Sequence, residues 1–598
     1  MDIKRQSIDE KYKWDLTRIY INDEAFYEEL KETEREASEF SRHEKTMLSG
    51  AEALYSALFE LEEIKGKINR LWEYAFLAFA LDNSSSDAQA KCSRVRSVSV
   101  KADEASWFVS PYIMRLDEEV LSGWYKEYPR LLEFEREIYK TMRERPYTLS
   151  DECERLMTKL GDALDSHGDI RGIFANSDLK YDDITDEEGN RVPLRDTNYV
   201  TYLMSSKRSV REEAFTTLYK TYRQFGNTFS NLYSSYVKER CALARARGYE
   251  SSLHSSVFSD EVTPDIYNAL IASVREALPV FHDYYELKRE VLGVDKIHMY
   301  DLYAPLVPAF EREYSYEEAV DALLSTCEVF GKEYYDTLKS GVTEKRWVDV
   351  YPAEGKQGGA FSAGCYGIDP YILLNYNSTF SDVSTLLHEA GHSMHSHFSR
   401  MNNTAQNAYY TIFVAEVAST VNELLLIHKR LHESESREES LYMLDSLMET
   451  YKGTLFRQTM FAEFEKWAHE SVWRGEPLTK DTLCAYYKEL VSDYFGDKVE
   501  IDDDIAYEWM RIPHFYSAFY VYKYATCISA ASAIVKRIES EGEPYIEKYI
   551  EFLKIGGSKS PLESLLVAGI DMTRPEVVKA AVEDFKNAID SFRKIYKN

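Results

Sequence analysis

A mostly α-helical protein is what this 598-residue sequence predicts, and three observations carry the prediction. Glycine (25 residues) and proline (15) are scarce, so the chain is poor in the residues that punctuate turn-rich β folds. Long stretches alternate charged and apolar residues at the three-to-four-residue spacing of an amphipathic helix. Hydrophobic residues make up 44% of the chain, enough to bury a substantial core along such faces. No proline-, glycine- or serine-rich linker separates the stretches, which favours one continuous body over beads on a string.

Taken in order, Tyr12 to Leu16 is a short amphipathic entry segment. Asp23 to His43 and Ser84 to Trp107 are the clearest amphipathic helices of the first 150 residues, a region that reads as a packed helical bundle. Leu179 to Leu194 breaks the period. Two short β-like runs flank Asp186-Glu187-Glu188-Gly189-Asn190, which predicts a hairpin. A long helix is predicted from Ser206 through Arg247, with Gly248 placed to end it. Thr263 and Pro264 supply an N-cap and a first-turn proline for another, running to about Leu292.

From about Tyr300 the texture changes. Tyr351 to Ser362 is glycine-rich and irregular, but Gly355 to Gly359 lacks the Gly-Lys-Ser/Thr ending of a phosphate loop. Tyr371 to Tyr376 is an apolar, aromatic run of strand length. It is either an ordinary interior strand or an exposed edge to which an extended peptide adds, and a substrate backbone lying along it is the expectation carried forward. Ser381 and Asp382 then offer a cap and a first-turn acid for the next helix.

Composition also narrows the function. A net charge of −30 repels phosphate backbones, which argues against a nucleic-acid partner. The 46 tyrosines suit a core–surface boundary, ring buried and hydroxyl wet, and some could line a groove. Seven widely spaced cysteines, an odd number with no Cys-x-x-Cys, fit reduced thiols and not a disulfide framework. Residues 1 to 7 lead into charged sequence without an apolar core, so no secretory signal is expected. No run approaches the roughly 18 apolar residues of a membrane span. These features predict a cytoplasmic protein with no membrane partner.

The chemistry is concentrated in Leu386 to His395, which contains His388-Glu389-Ala390-Gly391-His392. On a helix, positions i and i+4 share a face, so His388 and His392 can converge on one point, two imidazole ligands for a tetrahedral zinc with Glu389 beside them as general base. Two histidines leave the metal one protein ligand short. Downstream, Glu416 sits in a helical stretch among Phe413, Val414 and Val417, where a carboxylate is costly to bury unless paired or metal-bound. Glu416 is therefore the candidate third ligand. Glu423, seven positions on, shares its face and can orient a ligand histidine. His395 reads as structural and not as a ligand, and His397 points elsewhere. A glycine inside a helix costs roughly 1 kcal/mol relative to alanine, so Gly391 is expected to admit a second backbone close to the site. Near the C-terminus His514, Tyr516, Tyr520, Tyr522 and Tyr524 crowd into eleven residues, imidazole and phenol donors of the kind that stabilise a developing oxyanion.

These pieces together resemble the oligoendopeptidase F family, related to thimet oligopeptidase and neurolysin. The resemblance runs through Tyr351 to Gly355, the strand at Tyr371, His388 to His392, Phe413 to Glu423 and His514 to Tyr524. It extends upstream through Ala277 to Leu306 and the hairpin. It implies a large prolate helical body with a deep central channel and a small β element beside the zinc-binding helix. Residues 1–200 would wall the channel, and residues 201–598 would form the zinc metallopeptidase region. It implies one zinc per chain on His388, His392 and Glu416, and hydrolysis of internal bonds in short, unstructured peptides by a metal-activated water with Glu389 as base. Tyr522 best matches the family's oxyanion tyrosine and His514 its substrate-contacting histidine. The spacing is shorter than in the thimet-like branch, whose glycines are missing here, so Tyr516 and Tyr520 stay open. The alternatives are a related helical zinc metallocarboxypeptidase and an inert peptide-binding scaffold. Cleavage preference and oligomeric state are not encoded in any motif.

Overall fold

The helical periodicity of the first 150 residues is realised directly. In the computed structural model, which describes residues 4–308, 310 and 312–597, helices Asp23–Glu39, Ala51–Leu81 and Ser86–Ala105 bury Phe26, Leu30, Leu54, Leu58, Val95 and Val98 in one core. Helix accounts for 73% of the structure and strand for 3%, as the composition predicts. Among the described residues the strands are β1 (Ile184–Thr185), β2 (Arg191–Val192), β3 (Ile297–His298), β4 (Val348–Asp349), β5 (Phe361–Ala363), β6 (Tyr371–Leu373) and β7 (Val499–Glu500).

The chain divides into two compact units. The first gathers Met1–Pro146, Glu311–Leu426 and Arg537–Gly569; the second gathers Tyr147–Phe310, Ile427–Lys536 and Ile570–Asn598. This division does not follow a single cut near residue 200. Two of the passages fall inside the helices Ile412–Glu433 and Tyr522–Glu541, so no change of composition marks them.

In the second unit the predicted hairpin is present, β1 pairing antiparallel with β2. The two long helices predicted there are each broken. Arg208–Gln224 and Gly226–Ala246 are separated at Phe225; a Cβ on Gly226 would lie 2.8 Å from the Lys480 side chain, so a close neighbour holds the break. Pro264–Glu276 and Leu278–Leu292 part at Ala277, because Pro279 cannot donate to the preceding turn and must sit in a first turn.

In the first unit β4, β6 and β5 form a sheet in that order, β6 parallel to β4 and antiparallel to β5. The Tyr371 strand is thus the central strand, paired on both sides and wholly buried, and it has no edge to offer a peptide. Its unbroken apolar run is the signature of burial on both faces, which decides between the two readings open at the level of sequence. The free edge with partly exposed residues is β5. The entry segment straps this sheet: Trp14 donates its indole N–H to the carbonyls of Trp347 (2.8 Å) and Ile372 (3.0 Å), and Arg5 pairs with the buried Asp349.

The helix Phe380–Asn402 carries the histidine motif and packs on this sheet, with Ser393 Oγ 2.8 Å from Ser362 Oγ on β5. Its cap is Thr379, in a capping box with Asp382, and not Ser381. The next helix, Ile412–Glu433, crosses it at backbone contact. A Cβ on Gly391 would stand 2.6 Å from Ser419 Cα and 2.7 Å from the Ala418 carbonyl oxygen. The Asn422 side-chain amide seals the crossing by donating to the Leu387 carbonyl (3.1 Å). Beyond β5, Gly364 is clamped at φ +134 between Arg400, which donates to its carbonyl (2.5 Å), and the buried Glu73, which accepts its N–H.

Two outcomes follow from this packing. Gly391→Ala forces the helices apart, so it should cost about 1–3 kcal/mol by overpacking; parent-like melting would count against the close approach. Burial pushes the Glu73 carboxyl up to about 7, against the opposing pull of Arg400. The folded chain therefore holds this proton to higher pH than the unfolded chain does, and stability is lost as pH rises from the unfolded carboxyl range through 7. Glu73→Gln removes that loss: relative to the parent, its stability should improve by on the order of 3 kcal/mol between pH 4 and 8 in urea denaturation. Parallel pH profiles would refute the assignment.

Candidate active site

One turn of helix separates His388 from His392, and their Nε2 atoms stand 3.2 Å apart. Glu416, delivered by the crossing at Gly391, brings Oε2 to 3.3 Å from His388 Nε2 and 3.4 Å from His392 Nε2. A tetrahedron with ligand bonds of roughly 2.0–2.1 Å has edges of about 3.3–3.4 Å. The three donor atoms therefore mark one face of such a tetrahedron, and two imidazoles with a carboxylate are a donor set suited to zinc. Among the described residues this is the one group of three histidine, cysteine or acidic side chains able to hold a metal ion.

The electrostatics point to the same centre. Burial opposes ionisation of Glu416, but His388 and His392 outweigh it and hold its carboxyl well below the ordinary range. Burial likewise works against a charged His388, yet Glu416 and Glu423 raise its pKa to about 10. Negative charge is thus concentrated where a cation is to be held. Glu423 Oε2 lies 3.1 Å from His388 Nδ1, so Nδ1–H is assigned as the donor and Nε2 is left to face the centre. Glu389, 7% exposed, has its carboxyl pushed above the ordinary range by burial, a shift that His388 and His392 partly offset. That is the environment of a proton carrier, not of a surface ion pair.

Two hydroxyls in this shell escaped the sequence reading. Ser419 Oγ donates to Glu416 Oε2 (3.1 Å) and Ser384 Oγ to Glu423 Oε1 (3.3 Å). Helical spacing held the signal: Ser419 is three residues after Glu416, and Ser384 is four before His388. His395 is not among the donors. It is buried, its ring stacked on Tyr410 at 3.7 Å and 3°.

The aromatic segment belongs to the second unit. Its residues do not share one face. His514 and Tyr520 lie near-parallel, ring centres 6.1 Å apart at 11°, with Tyr524 edge-on to both. All three are partly exposed. Tyr516 turns the other way, against Tyr233 and Tyr236. Tyr522 is fully buried, its ring 4.9 Å from Tyr267, at the start of the helix Tyr522–Glu541. The split arises at Phe519, which takes the left-handed conformation (φ +55) and reverses the chain between Tyr516 and Tyr520.

Comparison with known proteins gives the family of the chain. The model of peptidase family M3 matches residues 201–584, and an oligopeptidase F model matches residues 113–181. Oligopeptidase PepF of Bacillus subtilis is 37% identical over 99% of this chain and 88% of its own. An oligoendopeptidase F homolog of Borreliella burgdorferi is 35% identical over all of both chains. The crystal structure of oligoendopeptidase-F from Enterococcus faecium superposes with a TM-score of 0.75 at 31% identity, covering 96% of this chain and 99% of that one. With a matched domain spanning well over half of its length and relatives of this identity along nearly all of it, the chain belongs to peptidase family M3, among the oligopeptidase F proteins.

Proposed function

We propose that this M3 metallopeptidase is a zinc enzyme that cleaves internal bonds of short, unstructured peptides, with His388, His392 and Glu416 as ligands and Glu389 as general base. The observation that carries the ligand assignment is the donor triangle of 3.2, 3.3 and 3.4 Å. A zinc ion held there supplies Lewis acidity, polarising the scissile carbonyl and acidifying a water. Glu389 takes the proton of the attacking water and passes it to the leaving amine. Glu423 keeps His388 in one tautomer, and Ser419 keeps the Glu416 carboxylate turned inward. An extended peptide backbone adds to β5, the partly exposed edge tied to the motif helix through Ser362 and Ser393, in place of the Tyr371 strand. Oligoendopeptidase F is the name borne by several relatives, which supports endopeptidase action over the metallocarboxypeptidase alternative.

For the oxyanion we assign Tyr520, with His514 beside it. What supports the choice over Tyr522 is exposure: Tyr520 shares a partly open face with His514, whereas the Tyr522 ring is packed against Tyr267. A cytoplasmic location fits the seven cysteines, which form no disulfide among the described residues. No helix is long and apolar enough to cross a membrane.

Glu389→Gln should abolish hydrolysis of an end-blocked peptide while zinc stays bound, and Glu416→Ala should lose the metal by elemental analysis. Activity in the first or stoichiometric zinc in the second would sink the corresponding role. Tyr520→Phe should lower kcat by about 10²–10³ with little change in KM, whereas Tyr522→Phe should stay within about threefold of the parent. The reverse order would return the role to Tyr522. Trimming of free C-termini with blocked peptides left intact would favour the carboxypeptidase reading.

A further inference from the structure

Three helices of the second unit converge on one turn of the aromatic segment. From Arg457–Trp473, Glu465 Oε1 accepts the Phe519 amide N–H at 2.7 Å. From Gly226–Ala246, the Tyr236 hydroxyl accepts the Ala518 N–H at 2.8 Å. From Ser252–Phe258, Ser256 Oγ donates to the Ala518 carbonyl at 2.7 Å. The turn they hold is the left-handed Phe519, a conformation that glycine takes freely and phenylalanine does not. The chain has no glycine between Gly496 and Gly542, so the turn is imposed from outside.

Glu465 is an unusual residue to find there. It is fully buried, and its Oε2 has no hydrogen-bond partner. Two other deeply buried acids of this unit are paired with cations, Asp301 with Arg208 and Arg211 and Glu508 with Arg457, whereas Asp445 accepts the Leu306 N–H and, like Glu465, keeps one carboxylate oxygen without a partner among the described residues. Glu465 has no ion pair among the described residues, and burial pushes its carboxyl well above the ordinary range. A buried acid without a counter-charge is costly to keep for packing alone. Its one hydrogen bond goes to the peptide group whose turn separates Tyr516 from Tyr520.

We propose that Glu465 is a positioning residue for catalysis, holding the Phe519 turn so that Tyr520 stands beside His514, with Tyr236 and Ser256 completing the clamp. This rests on the assignment of Tyr520 above. Glutamine reproduces both the shape and the acceptor oxygen of the acid, and leucine keeps the volume while removing the acceptor.

The test is steady-state kinetics on an end-blocked peptide with zinc content measured in parallel. Glu465→Leu should lower kcat by about tenfold or more, leave KM within about threefold and keep full zinc, and Glu465→Gln should recover kcat to within about threefold of the parent. In a Tyr520→Phe background, Glu465→Leu should cost less than about threefold further, because its effect runs through the missing hydroxyl. Parent-like kcat in Glu465→Leu, a Gln variant as slow as Leu, or effects that multiply in the double variant would each overturn the proposal. Parent-like kcat in Tyr520→Phe alone would instead overturn the oxyanion assignment. Should Glu465→Leu not fold, Tyr236→Phe and Ser256→Ala each remove a single hydroxyl: a several-fold fall in kcat at unchanged KM supports the clamp, and parent-like kcat in both overturns it.

Discussion

Backbone contact between two helices at Gly391 and Ser419 sets the distance on which the metal centre depends. A carboxylate side chain reaches only a few ångströms from its own helix, and the two imidazoles on the other helix are no longer. For Glu416 Oε2 to come within 3.3 and 3.4 Å of both Nε2 atoms, the two helix axes must approach more closely than helices carrying ordinary side chains at the crossing allow. Glycine at position 391 permits that approach, and the Ser419 and Asn422 side chains hold it, one turned toward the Glu416 carboxylate and the other toward the Leu387 carbonyl. The helical glycine that local propensity counts as a cost is repaid by the geometry of the donors.

The same crossing explains the electrostatics. Glu416 and Glu423 lie seven residues apart on one face, so both carboxylates meet His388, one at each ring nitrogen. The two carboxylates thereby fix the imidazole in orientation. Glu389 follows His388 in sequence yet lies in drier surroundings, which separates its behaviour from that of its acidic neighbours: Glu416 is held ionised, and Glu389 is made a better proton acceptor. Two carboxylates in one small volume take opposite roles because one is hydrogen-bonded to imidazoles and the other is not.

Much of this was legible in the sequence because it is local. The three donors of the candidate metal site are read from helical periodicity within two segments, and the glycine from its cost in a helix. Contacts between segments were not legible. Whether Tyr371 to Leu373 is an edge or a centre depends on where Val348 and Phe361 come to lie, and no pattern within the strand records that beyond its unbroken apolarity. The aromatic segment was misleading for a different reason. Spacing arguments assume a regular helix, but His514 to Tyr516 and Tyr522 onward belong to different helical elements with the left-handed Phe519 between them. Once that residue reverses the chain, spacing along the segment loses its meaning, and Tyr520 and Tyr524 are the tyrosines that keep company with His514. The helix breaks at Phe225 and Ala277 are intermediate cases: the second follows from Pro279, a residue of the same segment, whereas the neighbour of Gly226 lies far along the chain.

The two units thus fix their functional groups by opposite means. In the first, a residue of minimal size lets backbones meet, and regular helices then deliver every donor. In the second, a bulky residue is held in a conformation it does not favour, and hydrogen bonds from three helices maintain it. The first device tolerates no added volume at one point. The second tolerates changes of volume but not the loss of an acceptor or hydroxyl. That distinction follows from what each must do. Metal ligands have to sit within tenths of an ångström of one another, which packing enforces best. A donor to a developing oxyanion has to be aimed, and aiming a short loop without glycine is a matter of fixing one peptide plane. The Glu465 carboxyl, shielded from solvent and unpaired with any cation among the described residues, is suited to that single task.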